Sequence, residues 1–246
     1  VHEIKDMEEL KRRLGEDRRF FSYFHPALED EPIIFVQVAL TNGLGKSIQE
    51  ITKPRTEGDK KYDSATFYSI SNCQEGLSRV TLGNFLIKRV VFEIQEELPN
   101  IKNFGTLSPI PGFRDWFSYL EDSKIKNILG NISLENISFL KSPDLKPGDP
   151  RILSNKDALL KLVAHYLMNE KNNKKLPIND VCRFHLGNGA IIDDIIINAN
   201  VSEVGLNRSF GVMVNYLYEL KNIEKNHEDY INNKKIIVSD KVKKLI

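Results

Sequence analysis

Two short segments of the chain carry polar side chains in settings that suit acid–base chemistry. Ser108 stands between an apolar run and the turn Pro109-Ile110-Pro111-Gly112. The two prolines stiffen this turn and Pro109 biases Ser108 towards an extended backbone, so the hydroxyl is held in a fixed place, as a group that meets a substrate must be. His185 precedes Gly187-Asn188-Gly189 and lies between apolar runs. Because an unperturbed imidazole titrates near neutral pH, a histidine in such a setting suits a proton donor or acceptor.

Each of these residues also has a purely structural interpretation. Ser108 can be the N-cap of a helix whose first residue is Pro109, an arrangement that is common at helix starts. His185 can be a polar strand residue of a β-hairpin, with Asn188-Gly189 as the turn. The residue types and their spacing leave both pairs of interpretations open.

A third segment suits the binding of phosphate groups, because it joins a predicted strand to the start of a predicted helix. Backbone N–H groups and the positive end of the helix dipole meet at such a point and attract a pyrophosphate. A glycine in the segment allows the backbone to approach the phosphate closely. The alternative is an ordinary capped helix, with Ser78 or Thr81 as the cap. The segment consists of Ser78, Arg79, Val80, Thr81, Leu82, Gly83 and Asn84.

Two other patterns predict no site. Residues Asn42 to Ser47 end in Gly-Lys-Ser like a Walker loop, but Leu40 stands where that loop needs its first glycine, so we predict a surface loop. Cys182 and His185 have a spacing seen in metal sites, yet no second pair of ligands lies nearby in the sequence. No glycine-rich dinucleotide fingerprint is present either.

The elements that must position these residues belong to a mixed class. We predict an α/β (α+β) domain with a twisted, mostly antiparallel sheet flanked by helices. The polar stretch 121–155 is predicted to be an insertion or linker, and 222–246 a solvated tail or surface hairpin. Strands are predicted at Phe20–His25, Ile33–Leu40, Ala65–Cys73, Phe104–Ser108 and Phe210–Tyr218, with two more around Gly187–Gly189. Helices are predicted over 6–14, Leu82–Leu98, Gly112–Leu120 and Lys156–Asn169.

Composition narrows the classes of function. The 246 residues are 41% hydrophobic and 28% charged, and the formal net charge is +1, which lacks the basic excess of a nucleic-acid-binding protein. No apolar run approaches the ~20 residues of a membrane span, and the amino terminus has no signal-peptide core. Both cysteines, Cys73 and Cys182, are expected to be reduced. These features predict an intracellular protein, cytoplasmic with the mitochondrion as the alternative.

Taken together and in order, several blocks resemble the catalytic domain of the malonyl-CoA decarboxylase family, and the resemblance covers nearly the whole chain. The Pro-rich turn after Ser108 is flanked on both sides by matching segments. The blocks are Phe20–Thr41, Phe67–Val91, Thr106–Trp116, Phe184–Ala190 and Asn215–Tyr218.

The resemblance implies a GNAT-like acyltransferase fold over residues 1–246 and conversion of malonyl-CoA to acetyl-CoA and carbon dioxide. It implies that no metal, biotin or other cofactor takes part. Ser108 would face the malonyl group, His185 would donate the proton, and Tyr218 would be a further site residue. Residues 78–84 would be the loop that holds the CoA phosphates.

The chain also departs from the pattern of the family. Family members carry a helical oligomerisation domain before the catalytic domain, and the chain is expected to begin after it; with that domain present, a homo-oligomer is expected. Thr81 replaces an acidic residue found in some phosphate loops, and the last residues lack a peroxisomal Ser-Lys-Leu signal. Two other functions remain open: a GNAT-type acyltransferase acting on an amine, and a non-catalytic acyl-CoA-binding module.

Overall fold

The structure, a computed structural model, describes residues 7–53, 62–73 and 83–246. The chain divides into two compact units, Val1–Leu107 and Ser108–Ile246. In chain order the elements are α1 (Met7–Arg13), β1 (Arg18–His25), β2 (Leu28–Thr41), α2 (Ile48–Thr52), β3 (Ser64–Asn72), α3 (Gly83–Glu97), β4 (Asn103–Pro109), α4 (Phe113–Ser118), α5 (Asp122–Leu129), α6 (Glu135–Ser138), a 3-10 turn (Phe139–Lys141), α7 (Pro150–Ser154), α8 (Lys156–Met168), α9 (Asp180–Gly187), β5 (Ile191–Ile196), α10 (Glu203–Ser209), β6 (Met213–Leu217), α11 (Ile223–Asn233) and α12 (Asp240–Lys243).

The first unit is built on four neighbouring strands. β1 pairs with β2 and β2 with β3 in antiparallel fashion, while β3 and β4 run parallel with Phe67 opposite Thr106. The crossover between the parallel strands contains α3, as a parallel connection requires. Its apolar positions recur every three or four residues and are buried, which explains why this stretch is helical; they are Ile87, Val90, Val91 and Ile94.

The second unit contains an antiparallel pair of strands, β5 and β6, and most of the helices. Helix α8 is its apolar centre, since eight of its 13 residues are buried. Helix α5 packs on α8, and α11 packs on α9. With strands and helices in both units, and antiparallel pairs outnumbering parallel ones among the described strands, the predicted mixed α+β class is confirmed.

A strand was predicted on each side of Gly187-Asn188-Gly189, and the prediction for the residues before the glycines is wrong. Asp180–Gly187 is helix α9, and β5 alone follows the glycines. Asn188 is the C-cap of this helix rather than part of a hairpin turn. Gly189 adopts φ +79°, the left-handed conformation with which many helices end. The same residue types serve helix ends and hairpin turns, so the local sequence did not distinguish them.

Two polar stretches are more ordered than the sequence predicts. Residues 222–246 form α11 and α12 rather than a tail or a hairpin, and Ile223, Tyr230 and Val242 are buried. The stretch 121–155 consists mainly of short helices, which bury one or two apolar side chains each. In both stretches one narrow apolar stripe is enough to hold a helix against its neighbours, although the composition is polar.

In the part of the chain that the structure describes, no helix combines the length and the apolar character needed to cross a membrane.

The backbone conformation directly after α9 requires a glycine at position 189. A side chain at Gly189 would be strained by the positive φ and would also overlap the backbone carbonyl of Ile223. We expect Gly189→Ala to lower the free energy of unfolding by about 3 kcal/mol. Gly43, at φ +70° with no atom near the added Cβ, is the matched control. Gly43→Ala should cost about 1 kcal/mol. Denaturant unfolding measures both, and equal losses would contradict the steric argument.

Candidate active site

Ser108 lies at the end of β4, just before the Pro-rich turn. It is 5% exposed. The next helix, α4, begins only at Phe113, and its N-cap is Gly112 with φ +79°. The interpretation of Ser108 as a helix N-cap is therefore wrong. The hydroxyl stands at the end of a strand, and a stiff turn leads the backbone away from it.

His185 lies on the buried face of α9. The helix begins where the side chain of Asn179 accepts a hydrogen bond from the backbone N–H of Cys182, a normal N-cap. Cys182, His185 and Leu186 follow one another at helical spacing and all three are buried. The helix therefore turns His185 towards the interior, where it is 3% exposed.

Two hydroxyl groups from distant parts of the sequence meet at this imidazole. Ser108 Oγ lies 2.9 Å from His185 Nε2. On the other side of the ring, the Tyr218 hydroxyl lies 2.8 Å from Nδ1. Tyr218 is 2% exposed. Both ring nitrogens thus have a hydrogen-bond partner. The three residues predicted from the sequence are connected and buried, and we call them the Ser108–His185–Tyr218 group.

A fourth residue of this site, Tyr216, was not predicted from the sequence. Its ring is stacked on the imidazole of His185, with 4.4 Å between ring centroids and 25° between planes. Tyr216 is the penultimate residue of β6 and Tyr218 is the first residue after it, so the two-residue period of a strand, continued by one residue, puts both on one face. That period of two is the signal that would have identified Tyr216. Its ring fixes the plane of the imidazole, because aromatic stacking restricts tilt.

Burial determines the protonation states in the group. Removal from water disfavours the imidazolium and lowers the pKa of His185 to about 3. The same cause raises the pKa of Tyr218 and of Tyr216 well above the usual value for a phenol. At neutral pH the unliganded site therefore holds a neutral imidazole and two protonated phenols, whereas an imidazole titrating near neutral pH was predicted.

The other candidates fall outside this group or outside the described residues. Cys73 and Cys182 are free thiols. Burial raises the pKa of Cys182 to about 12, so it is a thiol and a poor metal ligand. Within residues 7–53, 62–73 and 83–246, no three potential metal-binding side chains lie together. Of the predicted phosphate-binding segment, Ser78 to Leu82 lie outside the described residues, while Gly83 and Asn84 begin α3.

This arrangement can transfer a proton in either direction. With the proton on Nδ1, Ser108 donates to Nε2 and its oxygen gains nucleophilic character, as in hydrolases and acyltransferases. With the proton on Nε2, the ring donates to Ser108, and Ser108 donates in turn to a substrate atom. Tyr218 accommodates both forms, because a phenol can accept from Nδ1–H or donate to Nδ1.

The fold and the site define the class of the protein: an α+β protein with a GNAT-like fold and a buried acid–base group. The fold resembles that of the loading GNATL domain of CurA from Lyngbya majuscula (TM-score 0.52, 14% identity, 89% of this chain and 84% of that domain). The particular family follows from closer relatives. The chain belongs to the malonyl-CoA decarboxylase family, because the model of the malonyl-CoA decarboxylase C-terminal domain matches residues 1–246.

Individual relatives agree with this assignment. The chain is 38% identical to the mitochondrial malonyl-CoA decarboxylase of the goose Anser anser anser over 98% of its length. The crystal structure of malonyl-CoA decarboxylase from Agrobacterium vitis superposes with a TM-score of 0.89 at 40% identity, over all of this chain and 61% of that one. The chain spans 52% of the goose protein. The predicted family is confirmed, and the match is to the carboxyl-terminal part of its members.

The buried neutral imidazole makes stability depend on pH. Between pH 6.5 and about 3 the unfolded chain binds a proton at His185 that the folded chain does not. The free energy of unfolding should therefore rise with pH across this window, by at most ~1.4 kcal/mol per pH unit from this group. In His185→Gln this contribution disappears, so the free energy of unfolding should rise less steeply with pH across the same window. Denaturant unfolding at a series of pH values measures it.

The exposed His25 provides the control for that experiment. His25→Gln makes the same change of side chain at an exposed ring outside the Ser108–His185–Tyr218 group. Equal slopes for His185→Gln and the unmodified protein would mean that the imidazole is not held neutral by burial.

Proposed function

We propose that this chain decarboxylates malonyl-CoA to acetyl-CoA and carbon dioxide, using the Ser108–His185–Tyr218 group for proton transfer. The observation that carries the proposal is the hydrogen-bonded contact of 2.9 Å between Ser108 Oγ and His185 Nε2. It occurs in a chain that the decarboxylase family model matches from end to end. The alternative functions, acyl transfer to an amine and acyl-CoA binding without turnover, are outcomes of the tests below.

The reaction itself sets what the site must do. When the bond to the carboxylate breaks, its electron pair passes to the α-carbon and is shared with the thioester oxygen as an enolate. Positioned donors stabilise this developing charge, each contributing about 2.7–4 kcal/mol. A proton then adds to the α-carbon and gives acetyl-CoA. The thioester already accepts the electron pair, so the proposed chemistry needs no metal and no organic cofactor.

We propose that in the resting site the O–H of Tyr218, which stays protonated, donates to Nδ1, so that the ring proton lies on Nε2. His185 then donates to Ser108 Oγ. Ser108 in turn donates its own hydroxyl proton, in our proposal to the thioester oxygen or the α-carbon of the substrate. This polarity favours proton donation over nucleophilic attack by Ser108.

A bound substrate supplies a counter-charge for the imidazolium, which burial alone disfavours. A malonyl carboxylate beside the ring stabilises the imidazolium, so binding raises the pKa of His185 and promotes uptake of a proton from solvent. Tyr218 then accepts from Nδ1–H, and no hydrogen bond is lost. Once carbon dioxide leaves, the imidazolium faces an enolate and returns its proton to the α-carbon, directly or through Ser108. The neutral ring is restored.

The first test measures the reaction directly. The purified chain is incubated in metal-chelating buffer with malonyl-CoA labelled in its free carboxylate. We expect labelled carbon dioxide and an equal amount of acetyl-CoA. CoA binding without release would support the binding module, and loss of acetyl-CoA only when an acceptor amine is added would support the acyltransferase.

Removing either side chain of the Ser108–His185 hydrogen bond should abolish most turnover. We expect Ser108→Ala and His185→Gln each to lower kcat by ~10²-fold or more while CoA binding persists, because the lost groups act on the developing charge and the proton. Steady-state kinetics and equilibrium binding of CoA measure the two effects. Ser209→Ala, another buried serine, and His25→Gln are the matched controls and should leave kcat unchanged. Near-normal turnover in both site variants would refute the assignment.

The segment 78–84 is proposed to hold the CoA phosphates. We expect Arg79→Ala to raise KM for malonyl-CoA about 10-fold with little change in kcat, because a charge-assisted hydrogen bond to phosphate is worth roughly 1.5–3 kcal/mol. Arg89→Ala is the control, since Arg89 lies on α3 and pairs with the exposed Glu93. Equal KM values for the two variants would remove Arg79 from the proposed phosphate site.

Assembly and compartment remain predictions. The sequence predicts a cytoplasmic location, and the word mitochondrial in the name of the goose relative supports the alternative, the mitochondrion. A homo-oligomer is expected when the helical domain of the family is present.

A further inference from the structure

Asn179 makes two hydrogen bonds that point in opposite directions. Its Oδ1 accepts from the backbone N–H of Cys182 at 2.8 Å and so caps α9. Its Nδ2 donates to the backbone carbonyl of Pro111, also at 2.8 Å. Asn179 is 2% exposed, so its amide is largely shielded from water. One buried amide therefore joins the start of α9 to the turn that follows β4.

These two segments carry the two residues of the Ser108–His185 hydrogen bond. His185 lies six residues after Asn179 on the capped helix, and Ser108 lies three residues before Pro111. Prolines at 109 and 111 fix φ on both sides of Ile110, so the turn moves as one piece and a force on the Pro111 carbonyl is passed to Ser108. The Tyr166 hydroxyl also donates to this carbonyl, at 3.2 Å.

We propose that Asn179 is a positioning residue that sets the distance between Ser108 and His185. Its role in catalysis rests on the proposed function, whereas its role in geometry does not. A helix cap alone would stabilise α9 and leave the Ser108 turn untouched. The amide donor to Pro111 is what distinguishes positioning from capping, since a displacement of about 1 Å in a reacting group can cost ~10²-fold in rate.

Asn179→Ser separates the two roles. A serine retains an oxygen that can cap the helix, as Ser202 and Ser239 do elsewhere in the unit, but it carries no amide to reach Pro111. We expect kcat to fall about 10-fold with KM unchanged and the melting temperature nearly unchanged. Asn179→Ala, which loses both contacts, should show at least the same loss of kcat and a melting temperature lower by about 2–4 °C.

Ser202→Ala is the matched control. Ser202 caps α10 by accepting from Gly205 N–H at 3.1 Å, so the variant loses a cap in the same unit without touching the Ser108 turn. We expect it to lower the melting temperature as Asn179→Ala does and to leave kcat unchanged. A double-mutant cycle adds a second criterion. If Asn179 acts through Ser108, Asn179→Ser has no further effect on the residual kcat of Ser108→Ala.

A readout without substrate completes the test. The ¹⁵N chemical shifts of the His185 ring, assigned by comparison with His185→Gln, report the hydrogen bonds at Nε2 and Nδ1. We expect Asn179→Ser to shift the Nε2 signal and Ser202→Ala to leave it in place. An unshifted Nε2 signal, or an additive effect on kcat in the Ser108→Ala background, would overturn the proposal. If the unmodified chain releases no carbon dioxide while Nε2 still responds to Asn179→Ser, the proposed function fails and the positioning role stands.

Discussion

Burial of a neutral imidazole between two hydroxyl groups is the constraint on which the site depends. An unpaired polar group in such a position costs roughly 1–3 kcal/mol, and a charged one costs more. His185 avoids both penalties because Ser108 and Tyr218 satisfy its two nitrogens and because the ring stays unprotonated. The packing of the second unit must therefore hold Ser108, His185 and Tyr218 within hydrogen-bonding distance of one another.

Several local features produce this arrangement. The cap at Asn179 starts α9 in a phase that turns His185 inwards, and Gly189 releases the chain from the helix into β5. Tyr216 in β6 lies against the face of the imidazole, and Tyr218, the first residue after β6, lies at its edge. Each of these is an ordinary element of helix or strand geometry. Their combination holds the imidazole in position and orientation, which is what a preorganised site needs.

The same burial suits the proposed reaction. In the proposed reaction the carboxylate of the substrate favours the protonated imidazole, the loss of carbon dioxide leaves the negative charge on the enolate, and proton transfer to the enolate restores the neutral ring. Proton uptake and proton return are thus linked to the two ends of the reaction rather than to the pH of the solvent. Exclusion of water also weakens the solvation of the departing carboxylate, which contributes to its loss.

Sequence alone determined the class of the fold, most strands, the long helices and the three residues of the central group. It did so where a pattern has one physical meaning, such as β-branched runs for strands or an ordered set of family blocks. It failed at α9 and at α11, where Asn-Gly fits a hairpin as well as a helix end and where a narrow apolar stripe is hidden in polar composition. Only the tertiary structure decided the depressed pKa of His185, the stacking of Tyr216 and the link through Asn179. These depend on distances between residues far apart in the chain, and such distances are fixed by packing, on which local residue patterns carry no information.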